Sequence, residues 1–258
     1  MPVRIARFAT PAGGLSWGVI EGDDAPTVAA VEGHPFASIR FSGDRWALPD
    51  VRLLSPVLPS KVVAVGRNYA DHAREMGNQV PEIPLLFLKP STSVIGTGDV
   101  IRLPADSQQV EHEAELAVVI GLPAKDVDRD KAFDHVLGYT AANDVTARDQ
   151  QRADVQFTRA KGYDSFCPLG PWIETVLDPS DLRVTATVNG AVKQDGRTSQ
   201  MVHDVAGLIA FASSIMTLLP GDVILTGTPA GVGPIKDGDT ISIEVEGIGT
   251  LTNEVRTK

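Results

Sequence analysis

Glu111-His112-Glu113-Ala114-Glu115-Leu116 runs without a break into Ala117-Val118-Val119-Ile120. Read as one strand, this stretch sends successive side chains to opposite faces. Glu111, Glu113 and Glu115 then share one face, and Ala114, Leu116 and Val118 take the other. Carboxylates at that spacing repel one another and form strands poorly. A folded chain that sets them beside an apolar run needs a cation or a shared proton to compensate them. The pattern is a first hint of a metal.

Composition narrows what such a centre serves. The chain has 258 residues, enough for a sizeable core, and its 43% hydrophobic and 22% charged content is ordinary for a globular protein. With 23 basic against 33 acidic residues the formal charge is −10, which argues against a nucleic-acid partner. No apolar run approaches the roughly 20 residues of a membrane helix, and the first residues lack a signal-peptide pattern, so a cytoplasmic protein is expected. The single cysteine, Cys167, excludes an internal disulfide and a cysteine-based zinc site.

Outward from the acidic stretch the chain reads as strands and turns. Val3 to Ala9, Leu15 to Ile20 and Thr27 to Val31 predict a small β-meander, with Leu54-Ser55-Pro56-Val57-Leu58-Pro59 as its exit. The expected organisation is a small β-rich unit over 1–55 and a larger unit over 56–258. Lys61 to Gly66 reads as a buried strand, Ala70 to Met76 as a helix ended by Gly77, and Leu85 to Lys89 as a strand. Asp126 to Phe133 is expected to be helical, and Val136 to Ala142 to be a strand closing at Asn143-Asp144. Asn189-Gly190 is a hairpin signal. Val205, Leu208, Ile209, Ala212 and Ile215 have helical spacing and are expected to pack on the sheet.

Several residues carry possible chemistry. His72 and Glu75 lie three apart on one helix face, and a carboxylate beside an imidazole raises its basicity, as a general base requires; a surface ion pair is the plainer reading. Asp144 is either an N-cap for the helix that follows or a carboxylate facing a site built by a neighbouring strand. Lys161, beside Gly162, is expected in a loop. Cys167, between Phe166 and Pro168, reads as a buried apolar residue rather than a nucleophile. Gly227-Thr228-Pro229-Ala230-Gly231-Val232-Gly233 lacks the lysine and hydroxyl of a phosphate loop and fits a tight loop whose backbone approaches a small ligand.

Five blocks in order carry a resemblance. They are Gly66-Arg67-Asn68-Tyr69-Ala70-Asp71-His72; His112 to Leu116; Gly138-Tyr139 through Asn143-Asp144 to Asp149; Lys161-Gly162-Tyr163-Asp164 with Cys167-Pro168 and Gly170-Pro171-Trp172; and Pro220-Gly221-Asp222 through Gly233. Together, over about residues 56 to 256, they resemble the fumarylacetoacetate hydrolase family. The leading meander is similar to the small N-terminal domain some members carry. The resemblance implies a mostly β protein with a few helices, a mixed β-sandwich roll, and a homodimer that binds Mg²⁺ or Mn²⁺ and acts on 2-oxo acids.

Carried over residue by residue, the resemblance implies Glu113, Glu115 and Asp144 as metal carboxylates, and Lys161, His72 and Glu75 as catalytic residues. Thr228 matches a threonine that contacts the substrate carboxylate, and Arg67, Tyr69, Lys89 and Asp164 match pocket positions. Glu111 has no counterpart among the ligands and is placed at the strand's edge; His112 reads as structural. All-oxygen ligands select hard cations over zinc, and Lys161 supplies a counter-charge. The favoured reaction is hydrolytic C–C cleavage of an acylpyruvate or fumarylacetoacetate-like substrate through a metal-bound enolate. Alternatives are oxaloacetate decarboxylation and the isomerase and decarboxylase steps of aromatic catabolism, on 2-hydroxyhepta-2,4-diene-1,7-dioate or 5-oxopent-3-ene-1,2,5-tricarboxylate. A non-catalytic protein with structural calcium and a thiol enzyme using Cys167 remain as readings from other classes.

Overall fold

A computed structural model of the chain describes residues 3–36 and 39–257. Its frame is a 12-stranded mixed sheet, and the strand Ala114–Ile120 lies near the middle of it. The leading strands Arg4–Ala9, Leu15–Glu21 and Thr27–Val31 form the expected meander, extended by Phe41–Ala47 at the edge. This last strand has no sequence signature, because Gly43 and Asp44 interrupt it and its side chains are mostly exposed; pairing with Thr27–Val31 alone defines it. The meander continues directly into the main sheet, where Arg4 and Ile5 pair antiparallel with Glu174 and Ile173.

Beyond that junction the order is Cys167–Glu174, Val136–Asn143, Ala114–Ile120, Val223–Leu225, Val62–Gly66 and Leu85–Lys89. A second sheet of five strands is built around the hairpin Arg183–Val188 and Ala191–Arg197. Its turn is Asn189-Gly190, at φ 52° and 78°, the left-handed pair that a two-residue hairpin requires.

Alternation along Ala114–Ile120 explains how the layers join. Leu116, Val118 and Ile120 pack with Val184, Ile243 and Val245 of the five-stranded sheet. Ala117 and Val119 face the opposite way, against Val62, Ala64, Val223 and Leu225. The strand is covered on both faces, so its near-continuous apolar run is what burial dictates.

Four expectations are corrected. The acidic stretch is two strands rather than one: Val110–His112 belongs to a separate three-stranded sheet, Ala114–Ile120 to the main one, and Glu113 is the break between them. The segment expected to be helical from Asp126 is a 3₁₀ helix, Arg129–His135, that begins later because Asp126 sits at φ 50°. Lys161 ends a short helix, Thr158–Lys161, rather than lying in a loop. The Val205–Ile215 helix buries Val205, Leu208, Ile209 and Ala212, but Ile215 at its end turns to solvent. Among the described residues no helix is long and apolar enough to cross a membrane.

Candidate active site

The break at Glu113 is what gathers the carboxylates. Glu113 N donates to the side-chain oxygen of Asn143 (2.9 Å), so that asparagine fills a place the ladder leaves open. Ala114 pairs with Asn143 across the sheet, and the next residue, Asp144, donates its backbone N to the Glu113 carbonyl (2.9 Å). That register carries Asp144 from the end of one strand to the side of Glu113. On the other flank Val223–Leu225 ends beside Glu115, whose Oε2 accepts the Gly227 backbone N–H at 2.6 Å. One carboxylate oxygen each from Glu113, Glu115 and Asp144 then lies within 4.8 Å of the others, all three residues buried.

Cations meet both oxygens of Glu113 and both of Asp144, and Glu115 has none among the described residues. Lys161 Nζ donates to Glu113 (2.8 Å) and Asp144 (2.7 Å), and Lys89 Nζ donates to the second oxygen of Asp144 (2.5 Å). Lys161 also stands 5.1 Å from the Phe87 ring centroid. Arg148 donates through Nη2 to Glu113 (2.5 Å) and through Nε to Glu111 (2.7 Å). Glu111 is therefore not an edge residue: it is buried, and it is the counter-charge that holds Arg148 against Glu113. Arg148 had no signal of its own in the sequence, since a basic residue in the first turn of a helix reads as surface.

The charges settle unequally. Burial works to raise the Glu113 carboxyl, but Lys161, Arg148 and His72 outweigh it and hold it well below the usual carboxylate range. Burial pushes Glu115 up, and its neighbours Asp144 and Glu113 push it further; Lys161 and the Gly227 N–H offset only part of that. The protein's own cations thus serve Glu113 and Asp144 and leave Glu115 without one, so that its ionised form is disfavoured until a further cation is present. A hard divalent cation fits this all-oxygen donor set.

That imbalance gives a first prediction. The metal-free fold loses stability as pH rises from Glu115's ordinary 4.5 through its raised folded value, because a carboxyl raised by folding contributes only while protonated. Glu115→Gln removes this charge and keeps an oxygen for Gly227 N–H. Its metal-free melting temperature is expected to equal or exceed that of the natural chain above pH 7, while the rise on adding Mn²⁺ disappears. A variant that kept the full Mn²⁺ response would take Glu115 out of the ligand set.

A cavity of about 300 Å³ opens on these residues, with His72, Arg67, Arg152 and Thr228 on its walls. His72 and Glu75 are both on the helix Ala70–Glu75, with Nδ1 3.3 Å from Glu75 Oε2. Glu75 also accepts the Gly231 backbone N–H at 3.1 and 3.2 Å, which ties the pair to the glycine-rich loop. Thr228 Oγ1 donates to the Ala114 carbonyl (2.8 Å).

Three of the other pocket residues expected from the sequence are placed differently. Lys89 is spent on Asp144 and Val145 O inside the charge network. Tyr69 is buried outside the cavity lining, and its hydroxyl has no partner among the described residues. Asp164 is exposed and outside the lining. Its neighbour Tyr163 packs against Phe166 with the rings tilted and donates its hydroxyl to Asp106. Cys167 is fully buried in a strand, and burial raises its thiol to about 12, so it carries no thiolate for nucleophilic chemistry near neutral pH.

Fold and site together define a metal-ready enzyme centre on a mixed β roll, and the sequence profile of the fumarylacetoacetate (FAA) hydrolase C-terminal family matches residues 61–256. The chain belongs to that family. Residues 3–56 match the profile of the Rv2993c-like N-terminal domain. Protein Rv2993c of Mycobacterium tuberculosis is 56% identical over 260 residues, covering 98% of each chain. The mitochondrial oxaloacetate decarboxylase of Dictyostelium discoideum is 48% identical over 198 residues, covering 74% of this chain and 90% of its own. The crystal structure of 5-carboxymethyl-2-hydroxymuconate delta-isomerase from Mycobacterium smegmatis superposes with a TM-score of 0.93 at 56% identity, covering 99% of this chain and all of that one. Members of the family are enzymes, and this chain is an enzyme of that family.

Proposed function

We propose that this chain is a divalent-metal-dependent enzyme that acts on short 2-oxo diacids, with oxaloacetate as substrate for enol–keto interconversion and decarboxylation. The observation that carries the reading is the charge of the site. With Glu115 ionised, as a bound cation would favour, Glu111, Glu113, Glu115 and Asp144 face Lys89, Arg148 and Lys161, one negative charge in excess. A divalent ion turns that into one positive charge, and Arg67 and Arg152 on the cavity wall add to it. A compact pocket of this sign favours a small anion. The oxaloacetate decarboxylase named among the relatives supports the choice of substrate.

Glu113, Glu115 and Asp144 are the residues that hold the ion, which when bound supplies a Lewis acid that polarises a 2-oxo group. Lys161 Nζ, fixed by two carboxylates and stacked on Phe87, offers positive charge to an oxyanion developing in the cavity. His72 donates Nδ1–H to Glu75, so that in the neutral ring Nε2 is the atom that moves a proton at the substrate's C3. The two arginines orient the carboxylates of a bound diacid, and Thr228 shapes the wall beside them.

Hydrolysis of an acylpyruvate is a second reading, favoured by Glu75. Its carboxylate is about one-third exposed and pinned by Gly231 N–H, where it faces water. The two readings separate in one assay. Purified chain is given oxaloacetate, acetylpyruvate or a dienoate diacid, with Mg²⁺, Mn²⁺ or chelator. Oxaloacetate is expected to turn over fastest, with chelator abolishing the rate and either ion restoring it. Faster cleavage of acetylpyruvate would install the hydrolase, and inertness toward all three would end the enzyme reading proposed here.

A further inference from the structure

We infer that Gln194 is a positioning residue of this site, holding the glycine-rich loop, and through it Glu75, in register with the carboxylate strand. This deepens the proposed function and rests on it only for the kinetic arm of its test.

Gln194 belongs to the second sheet, on the hairpin strand Ala191–Arg197, and is fully buried. Its amide makes four hydrogen bonds, all of them toward the site. Oε1 accepts from Ala114 N (2.9 Å) and His112 Nδ1 (3.0 Å), the residues on either side of Glu113. Nε2 donates to Thr228 Oγ1 (2.7 Å) and to the Pro229 carbonyl (2.8 Å). The two backbone groups fix which end of the amide is which, since an N–H needs an acceptor and a carbonyl a donor. Oε1 only accepts, so His112 carries its proton on Nδ1. One side chain from a distant hairpin thus clamps the break in the metal-site strand to the loop that crosses it.

The loop is poised to need such a clamp. From Gly227 to Gly233 its ties to the carboxylate strand lie at its ends: Gly227 N to Glu115, the Thr228 hydroxyl to Ala114 O, and Gly233 opposite His112. Between them Gly231 stands at φ 100° against the same hairpin, so close that a Cβ would lie 2.2 Å from Lys193 O. Gly231 is the residue whose N–H holds Glu75. The path Gln194, Pro229, Gly231, Glu75, His72 therefore runs from the hairpin to the proton-transfer pair. Because the Thr228 hydroxyl proton is already given to Ala114 O, Gln194 also fixes which way that oxygen presents itself to the cavity.

Gln194→Glu keeps both acceptors and removes both donors; Gln194→Met keeps the volume and removes all four bonds. Hydrogen exchange by mass spectrometry reads the loop, Mn²⁺ titration reads the metal site, and steady-state kinetics reads turnover. In whichever variant folds, exchange over residues 227–233 is expected to rise at least tenfold while the 205–215 helix is unchanged. Gln194→Glu should bind Mn²⁺ within about threefold of the natural chain, and kcat should fall at least tenfold. Unchanged loop exchange, an equal rise across the whole protein, an unchanged kcat in a variant with a loosened loop, or failure of both variants to fold would each overturn the assignment. If the natural chain turns over no 2-oxo acid, the functional reading fails by itself and the exchange result alone decides the role of Gln194.

Discussion

Replacing Arg148 by Met is expected to cost about 3–5 kcal/mol of folding stability, read as a lower urea midpoint at unchanged slope. Arg148 is buried and bridges two buried glutamates, Glu111 and Glu113. Methionine replaces most of the volume but none of the charge. Glu111 would keep only the Gln109 amide, at 2.5 Å, and Glu113 only Lys161. Two carboxylates left underpaired in the interior are the costly outcome, whereas removing a charge together with its partner is nearly neutral. Adding Glu111→Gln to Arg148→Met should accordingly recover part of the loss. A single-variant loss below about 1 kcal/mol would show that the network is hydrated rather than dry, and the account of Glu111 as internal counter-charge would fall.

His72→Ala is expected to lower kcat by roughly two to four orders of magnitude while Mn²⁺ affinity stays within a few-fold. The ring lines the cavity and is oriented by Glu75, so its loss removes the proton carrier and leaves Glu113, Glu115 and Asp144 in place. Alanine suits the helix Ala70–Glu75, which limits the effect on folding. Glu75→Gln should fall between the natural chain and His72→Ala, because the amide still accepts from the imidazole but no longer raises its basicity. Unchanged turnover in His72→Ala would remove the pair from the mechanism; loss of Mn²⁺ binding would instead make His72 part of the metal site.

The legibility of this protein divides along the range of the forces involved. The alternation in Ala114–Ile120, the meander, the Asn189-Gly190 turn and the short helix bearing His72 and Glu75 all depend on residues a few positions apart. They are readable in the chain and present in the fold. Phe41–Ala47 was not readable, because an exposed edge strand draws its definition from a neighbour rather than from its own side chains. Ile215 had the right spacing, but the helix ends there, and only the packing shows that nothing covers it.

The site shows the same division more sharply. Crowded carboxylates at Glu113 and Glu115 are a local pattern, and the demand for a cation follows from charge alone. That Asp144 joins them depends on a cross-strand register, Ala114 opposite Asn143, which no short-range signal encodes. Lys89, Arg148, Glu111 and Gln194 lie 20 or more positions from at least one partner they serve. Arg148 and Gln194 read as ordinary surface or strand residues until folding buries them, and the partners of Lys89 and Glu111 appear only in the fold. The sequence by itself determined the donor set, oxygen ligands suited to a hard cation on a β frame with an imidazole–carboxylate pair nearby. Only the tertiary structure decided which charges are compensated and by whom, because desolvation sets the energy of a carboxylate, and desolvation is a property of the packed interior rather than of the chain.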